Sequence, residues 1–296
     1  MVFTSLFTAL LLAVGSTHAL SDIIWDGRIP RSFPLSDFDS SKLSPYNAGY
    51  NHGLNQTWAK IIKFPRVPPS KFDIISPRSS TKPLEVTIDD ESIFQPGDAS
   101  TRQNGFRRSE LMPNINNGSD ITVQNITTLH FSIMKDLHRP LNISHLYQIC
   151  FLETADYSSH VWTLSTGSGS SPPGNPKALR LESSTAGGVE AKRLFEVDFT
   201  GNIWHNFAIQ VDFDHNALKA FYSAGNAPLK RVVNIHGNDA TGRGQYHLGL
   251  IKQPTGNPSD VVHQGYQPSG INEGLIFGGI FIEKGAAVTT KNCLKK

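Results

Sequence analysis

The sequence predicts an all-β protein, a jelly-roll sandwich of two curved antiparallel sheets with an open concave cleft. Three observations predict it. Short runs that alternate apolar with polar residues recur from Leu84 to Glu283. Gly, Asn, Asp and Pro separate most of them, and no amphipathic stretch of ten residues interrupts them. Many short strands without intervening helices point to a sandwich or barrel, and a chain of 296 residues cut this finely suits a jelly roll.

The elements follow in chain order. Residues 20–80 are irregular and rich in Pro, Ser and Asn, with turns at Pro30, Pro45 and Pro68-Pro69; they read as an arm lying over the core. Strands are then expected at Leu84–Ile88, Thr128–Met134, Leu146–Glu153, Val161–Ser165, Ala178–Glu182 and Arg193–Asp198, and further at Trp204–Phe213, Lys219–Ser223, Gln245–Lys252 and Leu275–Glu283. Turn sequences such as Gly167-Ser-Gly-Ser-Ser-Pro-Pro-Gly174 and Asp214-His-Asn216 lie between them. No fixed-period repeat or linker divides the chain, so residues 20–296 are expected to form one domain.

Composition narrows the function. The net charge of +2 gives no basic footprint for nucleic acid. The apolar run Leu6–Val14 is too short to span a bilayer. With small residues at Thr17 and Ala19 it reads as a secretory signal peptide over residues 1–19, implying a secreted, extracellular chain that is not embedded in a membrane. Four Asn-x-Ser/Thr sequons, at Asn55, Asn117, Asn125 and Asn142, fit a glycosylated exoprotein. Secretion permits a bridge between the two cysteines, Cys150 and Cys293; the other reading is a buried strand thiol and a free tail thiol, and spacing does not choose between them. The sequence has no Cys pairs and no His-x-x-x-His, so no metal ligand set or cofactor is called for, and the chain is expected to act as a monomer on its substrate.

The stretch Asn104-Gly-Phe-Arg-Arg-Ser-Glu-Leu111 is the one that least resembles an ordinary half-buried strand. Strand parity puts Phe106, Arg108 and Glu110 on one face and Arg107, Ser109 and Leu111 on the other. An Arg and a Glu two residues apart on one face are either a solvated ion pair, worth roughly 0–1 kcal/mol, or part of a site. Glu153 is the second carboxylate of interest. It ends the apolar run Ile149–Leu152, shares parity with Tyr147, Ile149 and Phe151, and in such company tends toward a raised pKa, as a general acid needs; the plainer reading is a strand end stepping into solvent. Two carboxylates on one sheet face matter because glycoside hydrolysis uses such a pair, roughly 6.5–9.5 Å apart for inversion and about 5–5.5 Å for retention. Sugar-contact residue types surround them: Trp162 and His160 on one parity, His130, Gln148 and His247 in mid-strand, and Lys252 at the end of an apolar run. Each alone is more commonly a satisfied structural residue. Together they are harder to dismiss, because a buried polar side chain needs a partner and a groove that binds hydroxyls supplies one.

Several segments resemble a known family: Ile24-Trp-Asp-Gly-Arg-Ile29, Trp58-Ala-Lys-Ile-Ile-Lys-Phe-Pro65, Ser92-Ile-Phe-Gln-Pro-Gly97, the Asn104–Leu111 stretch, Leu129–Ile133, Trp204-His-Asn-Phe207, Tyr222–Lys230 and Gly265–Gly274. The chain is similar to the fungal secreted β-glucanases of glycoside hydrolase family 131. The resemblance implies a β-jelly roll with an open cleft, action on β-1,3-, β-1,6- and β-1,4-linked glucans, and two catalytic glutamates that fall on Glu110 and Glu153. Arg108 beside Glu110 favours the ionised form and a base role there, which leaves the acid role to Glu153. Two rivals remain. A jelly-roll lyase acting on uronans would draw on Arg107, Arg108, His130, Tyr246 and Lys252 for a cation and a base. A non-catalytic glucan-binding protein would keep the sugar contacts and need no carboxylate pair.

Overall fold

Period-2 alternation settles where most of the chain goes. The structure is a computed structural model, and it describes residues 22–76, 78–256 and 258–289. The predicted leader and Cys293 lie outside the described residues. Sixteen strands appear in order: β1 (Asp22–Asp26), β2 (Ile62–Lys63), β3 (Ile74–Ser76), β4 (Ser79–Ser80), β5 (Leu84–Asp89), β6 (Arg107–Leu111), β7 (Ile126–Lys135), β8 (Leu146–Glu153), β9 (His160–Gly167), β10 (Ala178–Glu182), β11 (Arg193–Asp198), β12 (His205–Asp212), β13 (Ala217–Ala224), β14 (Lys230–His236), β15 (Gln245–Lys252) and β16 (Asn272–Lys284). The helices are two single turns, α1 (Trp58–Ile61) and α2 (Val261–Gln264), with four short 3-10 segments.

The strands form a jelly-roll sandwich. One sheet runs β14-β13-β12-β7-β16-β5-β2, with β1 also pairing β16; the other runs β11-β10-β9-β8-β15-β6, and the pairs are antiparallel. Apolar side chains from the two inner faces fill the space between the sheets: Leu129, Phe131, Ile133, Phe207, Ile209 and Phe277 from the first, Leu152, Trp162, Leu164, Leu179, Leu181, Tyr246 and Leu248 from the second. Each such side chain contributes about 1.5–3 kcal/mol on burial. The expected strands are present with ends shifted by a few residues. The alternation does not mark β14 or the short strands β1–β4 of the arm: in β14, Lys230 and Arg231 open the strand and most residues stay exposed or half-buried, as on a sheet edge.

The arm is more integrated than its composition implies. Trp25, Ile29, Phe38, Tyr46, Trp58, Ile61 and Ile62 all join the core cluster, and β1 and β2 extend the larger sheet. Cys150 is fully buried between the sheets. The asparagines of the four sequons are all exposed.

Candidate active site

The outer face of the six-stranded sheet is where parity places Arg108 and Glu110, and the register explains their surroundings. On the ladder between β6 and β15, Glu110 lies opposite Gly249 and Arg108 opposite Ile251. A Cβ on Gly249 would sit 2.1 Å from the Ser109 carbonyl oxygen and 2.7 Å from Glu110 Cα, so only glycine lets these strands approach beside the carboxylate. Two residues earlier on β15 is His247, which pairs with Phe151 of β8.

These residues form one connected group. Arg108 grips Glu110 bidentately, Nε donating to Oε1 at 2.6 Å and Nη2 to Oε2 at 2.7 Å. His247 Nδ1 lies 2.9 Å from Glu110 Oε2. Its other nitrogen, Nε2, lies 3.3 Å from Glu153 Oε2, an ion-pair distance without hydrogen-bond alignment. One imidazole therefore stands between the two carboxylates. Asn51 locks the group from the arm: its carbonyl accepts the Glu110 N–H at 2.9 Å, and its Nδ2 lies 3.3 Å from His247 Nδ1. Phe151 stacks on the imidazole at 4.5 Å and 10°.

The electrostatics follow from these contacts. Burial alone would raise the Glu110 pKa, but Arg108 and His247 more than offset it and hold this carboxyl below its ordinary range. Burial would likewise depress His247; its contacts with Glu110 and Glu153 win, and its pKa rises, so the imidazolium is favoured. Arg108 is raised in spite of burial, by Glu110 first.

The group opens onto a cleft of about 620 Å³, a volume suited to a small number of sugar units. Arg108, Met112 and His247 line its floor; Asn47, Tyr50 and Asn51 of the arm form one wall; Glu153, Tyr157 and Gln245 form the other; Phe94, Pro96 and Gln103 complete it. The two glutamates differ in access. The Glu153 side chain is 21% exposed, whereas Glu110 is 1% exposed and sits behind Arg108 and His247. Both lie on one sheet face, but only Glu153 lines the cleft. Glu110 is outside the cleft lining, and its carboxylate accepts from Arg108 and lies against His247.

The other expected contacts divide. His160 is on the same outer face, 4.6 Å from Phe151, with its Nδ1 2.9 Å from Thr163 Oγ1; burial first, then nearby positive charge, brings its pKa down to about 4. Gln148 lies toward the far end of the sheet, opposite Ile251, and accepts a hydrogen bond from Gln253 Nε2 at 3.2 Å, outside the cleft lining. Trp162 is in the core, not in the groove. The register shift between Leu152 and Glu153 pairs Trp162 and His160 with consecutive β8 residues, so the two residues face opposite ways. A second shift, between Gln148 and Cys150, turns Tyr147 and Ile149 inward and leaves Phe151 and Glu153 outward, which corrects the shared parity expected for all four. His130 belongs to the other sheet; it is buried between Phe72 and Phe281 and bonded to Glu283 at 2.8 Å. Lys252 points between the sheets to Glu273 at 2.5 Å. The residues that sequence reasoning missed are Asn51, Tyr50, Tyr157 and Gln245. Of these Asn51 alone carried a signal, as an Asn in a Gly- and Asn-rich turn, and it adopts φ 60°.

Residues 23–288 match the family model described as the glycoside hydrolase 131 catalytic N-terminal domain. A crystal structure of a GH131 β-glucanase catalytic domain from Podospora anserina superposes with a TM-score of 0.69 at 23% identity, over 92% of this chain and 99% of that one. The catalytic domain of a glycoside hydrolase family 131 protein from Coprinopsis cinerea gives 0.61 at 23% identity, over 91% and 97%. A comparison with curated protein sequences returns no match.

Proposed function

The chain belongs to glycoside hydrolase family 131, and on that premise we propose that it is a secreted β-glucanase, acting on β-1,3-, β-1,6- and β-1,4-linked glucans through Glu153 and a buried Glu110–His247 pair. The observation that carries this reading is His247, set between two carboxylates on the floor of an open cleft. Glu153 is the carboxylate a glycosidic oxygen can reach, and it passes to the leaving group a proton that it takes from the His247 imidazolium. Glu110, fixed by Arg108, keeps the imidazole charged and oriented. His247 lines the cleft and lies against Glu153, so once it has given up its proton the Glu110–His247 pair is the base that takes one from the attacking water and restores the imidazolium.

The spacing supports inversion. An imidazole ring plus contacts of 2.9 and 3.3 Å separate the carboxylates, more than the roughly 5–5.5 Å of a retaining pair and within reach of the roughly 6.5–9.5 Å of an inverting one. The lyase alternative loses the candidates that the sequence offered it: Arg107 lies outside the cleft lining and donates to the Asn104 and Phe106 carbonyls at 2.8 Å. Tyr246, Lys252 and His130 are buried away from the cleft, and Arg108 is committed to Glu110.

Product analysis on purified β-glucans beside a glucuronan tests the reading. Reducing sugar released from β-glucan, with α-configured product at the first time points, is the expected outcome. An ultraviolet-absorbing unsaturated end from glucuronan, with no release from any β-glucan, would overturn it.

A further inference from the structure

The mouth of the cleft carries a strained tyrosine that the proposed proton chemistry does not use. Among the described residues six non-glycine positions adopt positive φ, and four of them are asparagines, which tolerate that region. The other two are Tyr157 at φ 60° and Arg243 at φ 49°. They lie on neighbouring turns: Ala155 N–H donates to the Gly242 carbonyl at 3.0 Å, joining the β8–β9 turn to the turn that leads into β15. Left-handed backbone at a bulky residue is disfavoured and persists only where the surroundings impose it.

The surroundings of Tyr157 do impose it. Asp156 accepts hydrogen bonds from Thr154 Oγ1, Ser158 N and Ser158 Oγ, Tyr157 N–H donates to the Thr154 carbonyl, and Thr154 N–H donates to the Ser159 carbonyl. The six-residue turn over residues 154–159 is closed on itself, and its only large apolar side chain is left outside. Tyr157 is 67% exposed and lines the cleft. Nothing in the core gains from this ring, so the strained turn serves to present it. Tyr50, 58% exposed, lines the same cleft from the arm. Both tyrosines share the cleft lining with His247: Tyr157 lies in the turn that follows β8, on one side of β15, and Tyr50 precedes Asn51, whose carbonyl is bonded to β6 on the other.

We propose that Tyr157 is a substrate-binding residue whose ring is a platform for the apolar face of a sugar unit, held across the cleft from Tyr50 so that a glucan chain passes between them over Glu153. An aromatic ring is a rigid apolar surface ordered at little entropic cost. It matches the C–H face of a β-linked hexose and demands no particular linkage. This proposal rests on the glucanase reading and adds to it a binding subsite.

The test compares wild type with Tyr157→Phe and Tyr157→Asn. Thermal midpoint, KM and kcat are measured, and binding of a gluco-oligosaccharide is measured by calorimetry in a Glu153→Gln background. Tyr157→Phe keeps an aromatic ring on the same turn and loses the hydroxyl, so its KM and Kd are expected to lie between those of wild type and Tyr157→Asn, nearer to wild type. Tyr157→Asn relieves the backbone and removes the ring, so its Tm is expected to equal wild type or exceed it by up to about 4 °C, while KM and the calorimetric Kd rise about tenfold and kcat changes less than twofold. Unchanged Kd in Tyr157→Asn, with wild type active, overturns the platform and leaves the glucanase reading intact. A fall in Tm that accompanies weaker binding overturns it too, since the ring is then structural. Wild type that neither binds nor cleaves β-glucan overturns both readings together.

Discussion

Strand β15 carries two buried cations five residues apart, and they end in opposite situations. His247 faces outward into a group with Glu110, Arg108 and Glu153. Lys252 faces inward and meets Glu273 at 2.5 Å, with Glu273 also accepting from Tyr147 Oη at 2.6 Å. The Tyr147 ring lies beneath the ammonium at 5.9 Å, and burial together with Glu273 pushes its hydroxyl far up. Both groups are hydrogen-bonded carboxylate–cation clusters in a dry setting. The inner one closes on itself: every member is bonded to another member or to nearby backbone, and none lines the cleft. The outer one opens on the cleft through Arg108, His247 and Glu153, and Glu153 is the most exposed of them. A buried charge in mid-strand thus says little about chemistry. A site appears where such a network has members that a ligand can touch.

The comparison is broken most directly at its open end. Glu153→Gln keeps shape and removes the transferable proton. It is expected to lower kcat by about 10²–10⁴, equivalent to about 3–5 kcal/mol of barrier, with Tm within about 2 °C of wild type. Kinetics on β-glucan and a thermal melt check both halves; a stable variant that retains full kcat would remove Glu153 from the reaction.

The closed end should fail in the other currency. Lys252→Ala strands Glu273 and is expected to cost about 3–5 kcal/mol of stability, read by chemical denaturation, while the folded fraction keeps wild-type kcat. A loss of kcat in folded protein without loss of stability would place Lys252 in the site after all. Lys252→Met, which fills the space but still leaves Glu273 unpaired, should recover part of the loss.

Arg108→Gln lies between the two. It removes the bidentate clamp while Glu110 keeps His247. A stability loss of about 2–3 kcal/mol is expected, together with a lower kcat and an unchanged KM, because Arg108 acts through Glu110 and His247 rather than on the sugar. A change confined to KM would show that it binds substrate directly.

These differences explain what the sequence made legible. Alternation and turn residues marked the long strands of both sheets, because a sheet with one buried face repeats every two residues whatever its neighbours do; β1–β4 in the arm and the edge strand β14 went unmarked. The same rule placed Arg108 beside Glu110, since β6 is regular and two residues always return to one face. It failed for Trp162, Tyr147 and Ile149, where bulges in β8 and β9 shift the count by one; nothing local marks these shifts. Lys252 and His130 were misread for a different reason. Parity assigns a face of the strand but not which face is covered, and each residue met its carboxylate partner on a strand distant in sequence, Glu273 or Glu283. The bridging place of His247 between Glu110 and Glu153 is likewise a product of strand order β8-β15-β6, which periodicity does not contain. The arm was hardest of all: Asn51 and Tyr50 come from a segment without period, positioned by hydrogen bonds to Glu110 N–H and by core residues such as Tyr46 and Trp58.

The smallest effect sharpens the comparison through pH. His247 has a folded pKa raised by Glu110 and Glu153 in spite of burial. The stability it contributes is therefore fully present below its unfolded value of about 6.5 and is lost as pH rises through the folded value. Glu110, depressed by Arg108 and His247, works in the opposite sense. Its contribution is present above the unfolded value of about 4.3 and is lost as pH falls through the folded one. Denaturation measured from pH 3 to 9 should show both limbs in wild type. In His247→Gln the alkaline limb should flatten, while the acid limb shrinks but persists, since Arg108 still holds Glu110. An alkaline limb unchanged by His247→Gln would mean that the imidazole is neutral between the two carboxylates, and the charged bridge between Glu110 and Glu153 would have to be given up.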